Sequence, residues 1–107
     1  MDARWLIIGL AATILLGTVS VVRAGDVTAG RALAQKHCGA CHALDRADRS
    51  PKPEAPPFRT LHQRYPVDGL EEALAEGMVT LHPDMPEVTF APDDIDNFIA
   101  YLKTLEQ

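Results

Sequence analysis

In a sequence of 107 residues, the run Cys38-Gly39-Ala40-Cys41-His42 specifies a chemistry through residue type and spacing. Two cysteines three apart on a turn of helix face one side. There they can bond as thioethers to the two vinyl groups of a single haem, and the histidine that follows can bring an imidazole nitrogen to the iron. Small Gly39 and Ala40 let the backbone lie close to the porphyrin edge. Three other chemistries compete for the same residues. A thioredoxin-like redox pair needs a βαβ setting, and no strand alternation is visible. A zinc site wants four ligands, usually with a second knuckle, whereas the chain has 2 cysteines and its remaining histidines, His37, His62 and His82, are scattered. A disulfide between cysteines three apart would staple almost nothing. The motif therefore predicts one covalently bound haem c, held by Cys38 and Cys41, with His42 on the iron.

The opposite face of the iron has three candidate ligands downstream: Met78, His82 and Met85. Met85 lies in His82-Pro83-Asp84-Met85-Pro86, where proline restricts the chain and lowers the entropy lost when a weak thioether ligand is held in place. Met78 follows Gly77 at a helix end, where a flexible side chain serves packing. His82 binds iron strongly but is three residues from Met85, so only one of the two can ligate. Met85 is the favoured assignment, with Met78 and His82 as alternatives.

Helices must carry these groups. Asp26 suits an N-cap, and Val27, Gly30, Leu33, Ala34, His37 and Cys41 follow at helical spacing, predicting a helix from Val27 into the cysteine motif. Residues 44–57 hold Pro51, Pro53, Pro56 and Pro57 among polar side chains and read as a loop. A short helix can open at Pro57-Phe58. Asp68 reads as the cap of another, running through Leu70, Ala73 and Leu74 to a stop at Gly77. Residues 79–90, broken by Pro83 and Pro86, read as a second loop. The last helix starts at Pro92, with Asp93 and Asp94 at the positive end of its dipole and an apolar stripe of Ile95, Phe98, Ile99, Leu102 and Leu105. The predicted class is all-α.

Length and charge bound the function further. The chain is one domain at most, too short for a large substrate cleft. Its formal net charge of −5 argues against a general nucleic-acid binder. The charge is uneven: residues 25–64 carry seven basic and four acidic side chains, whereas residues 65–107 carry one basic and ten acidic. That dipole can orient the protein toward a partner, beside the plainer reading of a solvated acidic surface. Residues 5–22 carry no charged side chain, and Val22-Arg23-Ala24 is a small-residue cleavage pattern before Gly25. Residues 1–24 thus read as a secretory signal peptide, with an uncleaved membrane anchor as the rival. Either way the domain, 25–107, is exported. A domain this short needs a staple, and a covalently bound haem supplies one.

In its motif, its downstream Met-Pro and its final amphipathic helix, the chain resembles a class I monohaem cytochrome c of the bacterial periplasmic type, over nearly all of residues 25–107. The resemblance implies three to four short helices wrapped around one haem. It also implies Gly30 packed against Phe98 and Tyr101 of the last helix, Met85 as distal ligand, and the carbonyl of Pro56 accepting a hydrogen bond from His42. The domain departs from the family in having no tryptophan near the haem propionates, where Arg59, Arg64 or Tyr65 stand as replacements. Ala91 sits where a capping Ser or Thr is expected. The implied activity is one-electron transfer, not enzymatic turnover, between redox protein partners, by a monomer in the periplasm or tethered to the inner membrane facing it. A haem enzyme or gas-binding protein with an open sixth position, and a membrane-tethered subunit of an oxidoreductase, are the alternatives.

Overall fold

The computed structural model describes residues 12–19, 25–78 and 84–106. The first helix, α1, spans Val27–Cys38. Asp26 caps it, its carboxylate accepting the Ala29 N–H at 3.0 Å, and Lys36 and His37 occupy the last turn, where positive charge suits the dipole. A 3₁₀ helix covers Phe58–Gln63. A second, Val67–Gly69, leads directly into α2, Leu70–Glu76. The last helix, α3, is Pro92–Lys103. Among the described residues no strand forms; a lone antiparallel bridge joins Met78 to Val88.

One detail differs from the sequence expectation. Asp68 is not the cap of α2. The preceding 3₁₀ turn already satisfies the backbone there, with the Leu70 N–H donating to the Asp68 and Val67 carbonyls. The Asp68 carboxylate instead meets Lys103 Nζ on α3 at 2.8 Å. Ala91 gives α3 no side-chain cap, as its residue type requires, and Pro92, Asp93 and Asp94 form the first turn.

The principal helix contact is α1 against α3, and Gly30 permits it. A Cβ at Gly30 would lie 1.9 Å from the Asn97 carbonyl oxygen and 2.9 Å from Tyr101 Cβ. Asn97 also accepts the Asp26 N–H at 2.8 Å, so the start of α1 is tied to the middle of α3. The atoms nearest a Cβ at Gly30 thus belong to Asn97 and Tyr101. One helical position is a 100° rotation, and it turns Phe98 toward Phe58 and Phe90, whose ring centroids lie 5.9 and 5.4 Å away in edge contacts. The buried core draws on Ala34, Leu61, Val67, Leu74, Phe90 and the α3 stripe.

The reading of residues 1–24 falls mainly outside the described residues. Within 12–19, Ile14, Leu15, Leu16 and Val19 are exposed. No helix among the described residues is long and apolar enough to cross a membrane.

Candidate functional site: a sulfur- and imidazole-lined cleft

α1 ends at the first cysteine and a hydrogen-bonded turn continues the chain. The N–H groups of Cys41 and His42 both donate to the Cys38 carbonyl, at 3.2 and 2.9 Å. This extra turn puts Cys38, Cys41 and His42 on the lining of one cleft of about 360 Å³, within the roughly 300–1,000 Å³ of small-molecule and cofactor sites. Phe58, Leu61, Leu74, Phe90 and Phe98 make it apolar. From α3 it is Phe98, and not Ile99, that lines the cleft.

The loop after the motif has no regular structure, yet side chains hold it at many points. Asp48 accepts the N–H groups of Leu44 and Asp45 at 3.1 and 3.0 Å. Ser50 accepts that of Ala43 at 3.0 Å. Arg31 of α1 forks onto Asp45 through bonds of 3.2 and 3.1 Å, and Tyr101 of α3 donates to the Leu44 carbonyl. The hydrogen bond from Arg31 holds the Asp45 carboxyl below its ordinary range. Arg59 joins this framework, donating to the Asp48 carbonyl at 2.8 Å. It does not line the cleft, whereas Arg64 and Tyr65 do. Of the three residues considered for haem propionates, Arg59 is therefore engaged elsewhere.

The loop delivers Pro56 to His42. The imidazole Nδ1 lies 2.8 Å from the Pro56 carbonyl oxygen. A carbonyl only accepts, so Nδ1 carries the hydrogen and Nε2 keeps its lone pair for a metal. The ring is also held by Phe58, 5.0 Å away between centroids. Burial pushes the Cys38 thiol up to about 11. A neutral thiol of this kind is poorly suited to the thiolate chemistry of a redox pair. Among the described residues no cluster of three or more His, Cys, Asp or Glu is placed to hold a metal ion. Two thiols, one oriented imidazole and an apolar cleft fit a covalently attached haem.

Both Met78 and Met85 line the cleft, while His82 lies outside the described residues. Met78 packs against the core and its N–H donates to the Val88 carbonyl at 3.0 Å. Met85 is half-buried and is not among the core-packed side chains. His37, read from the sequence only at its helical spacing, also lines the cleft, its ring 5.3 Å from that of Phe90; the sequence reading missed the pair Lys52 and Asp84, joined at 2.7 Å on the cleft lining. No periodicity or motif relates Lys52 to Asp84; only the fold brings them together.

A second, shallow groove of about 430 Å³ lies beside α1 and α3, lined by Arg31, Asp45, Arg46, Asp48, Tyr101 and Thr104. Its polar groups largely satisfy one another, as Arg31 does with Asp45 and Arg46 with the Thr104 carbonyl. It carries no sulfur or imidazole.

No curated protein matches the chain. The family model for cytochrome c matches residues 27–106, so the chain belongs to the cytochrome c family, and its cofactor is covalently attached haem c.

Proposed function

We propose that this cytochrome c family member is an exported single-electron carrier, with Cys38 and Cys41 bonded to the haem through sulfur and with His42 and Met85 as its two axial ligands. Haem-based electron transfer, with redox proteins as partners, is the general activity of the family. When bound, haem c supplies an iron that gains and loses one electron. The chain's own residues decide whether it does anything else. With His42 Nε2 and Met85 Sδ both given to the iron, no position would be left for substrate. Thioether ligation and an apolar lining both favour the less charged ferrous state and raise the potential. The observation that carries this reading is the His42 Nδ1–Pro56 carbonyl bond, in a cleft that both cysteines and Met85 also line.

Export follows from the signal-peptide reading of residues 1–24, with cleavage before Gly25 and function in the periplasm. The excess of basic residues in 25–64 gives a partner an electrostatic handle.

The test is an intact mass with ferric and ferrous absorption spectra of the exported protein. A mass equal to residues 25–107 plus one haem, with a methionine-type charge-transfer band in the ferric spectrum, is the expected result. Rapid carbon monoxide binding by the reduced protein, with no such band, overturns the ligation and favours a haem enzyme or gas sensor. A mass that retains residues 1–24 overturns cleavage and leaves a tethered form.

A further inference from the structure

We infer that Lys52 and Asp84 are positioning residues for the methionine loop: their ion pair clasps the segment carrying Met85 to the loop that follows the cysteine motif. This rests on Met85 being the axial ligand. Met85 sits in a long excursion between α2 and α3. Its base is closed by the Met78–Val88 bridge and by the Phe90 N–H donating to the Leu74 carbonyl at 2.9 Å. Those contacts hold the two ends of the segment. Asp84, next to Met85 in the chain, reaches across to Lys52 at 2.7 Å. Lys52 is itself anchored, because its N–H donates to the Cys41 carbonyl at 3.1 Å and its own carbonyl accepts the Ala55 N–H at 3.0 Å. The path from the cysteine motif to the ligand is thus short: Cys41, the Lys52 backbone, the Lys52 ammonium, the Asp84 carboxylate, then Met85. Both clasp residues line the same cleft as Met85.

The pair is part-exposed, 34 % at Lys52 and 66 % at Asp84. It should therefore act as a modest brake rather than a lock. The experiment measures how fast neutral imidazole displaces the distal ligand in the ferric holoprotein, following the methionine charge-transfer band. Lys52→Gln and Asp84→Asn should each speed displacement about two- to fivefold, the scale of a single part-exposed ion pair. The double variant should be no faster than either single one, and the swapped pair Lys52→Asp with Asp84→Lys should return toward the starting rate. Raising the salt should accelerate the unmodified protein and leave the neutral variants unchanged. Equal rates in all variants, with the band present, overturn the clasp and leave the ligation intact. If Met85→Ala keeps the band, the ligand assignment fails and the clasp falls with it, a distinct result.

Discussion

The two sides of the cleft are built on opposite plans. The segment carrying His42 is the end of a capped helix followed by an irregular loop, and that loop is hydrogen-bonded to α1, to α3 and to itself. The segment carrying Met85 is joined by a bridge at its base and by a part-exposed ion pair at Asp84. On the ligation proposed above, the imidazole bond falls to a framework tied at many points, and the weaker thioether bond to a segment with fewer described contacts. In such a molecule, ligand exchange is expected on the methionine side, with the cysteine-histidine side intact.

The largest effect should come from the rigid side. Cys41→Ser removes one thioether and, because cofactor attachment contributes folding free energy as structural metals do, most haem-loaded protein should be lost. Recovery of normal amounts of coloured protein would contradict it. Next is Met85→Ala, which should keep the haem attached and lose the methionine band. Its potential should fall on the order of 0.1 V, well inside the ~0.8 V that axial ligands span; protein-film voltammetry reads this. Gly30→Val forces a side chain into the Asn97 carbonyl and should cost about 3 kcal/mol, the upper part of the overpacking range, in denaturant titration. Its ferric spectrum should not change below the unfolding transition. Tyr101→Phe deletes the hydroxyl that meets Leu44 and should cost about 1 kcal/mol, loosening the proximal loop and leaving the methionine band in place.

The smallest effect concerns pH. Asp45 is held below its ordinary range by the Arg31 hydrogen bond. A depressed carboxyl stabilises the fold above its unfolded value near ~3.9 and loses that contribution as pH falls through the folded value. Asp45→Asn should therefore flatten the acid limb of the stability profile below about pH 4 and leave neutral-pH ligation unchanged. An acid limb that is steeper in the variant would refute this.

Cys38, Cys41 and His42 were legible in the sequence because they fall within a run of five residues, and a helical turn brings such a run to one side whatever surrounds it. The helix limits were legible for similarly local reasons: Asp26 before an apolar period, Pro92 before acidic residues, Gly77 at a φ of 104° after α2. The resemblance to a family added Pro56 as the partner of His42, a contact 14 residues apart. Tertiary structure decided the rest. It brought the Asn97 carbonyl beneath Gly30, because a helix's phase is set by what packs on all its faces. It turned Asp68 from a cap into a partner for Lys103, since a 3₁₀ turn had already satisfied the backbone. It sent Arg59 into the loop and left Arg64 and Tyr65 on the cleft. It joined Lys52 to Asp84 across 32 residues, because pairing between distant segments depends on how the helices pack and leaves no periodic trace in the chain.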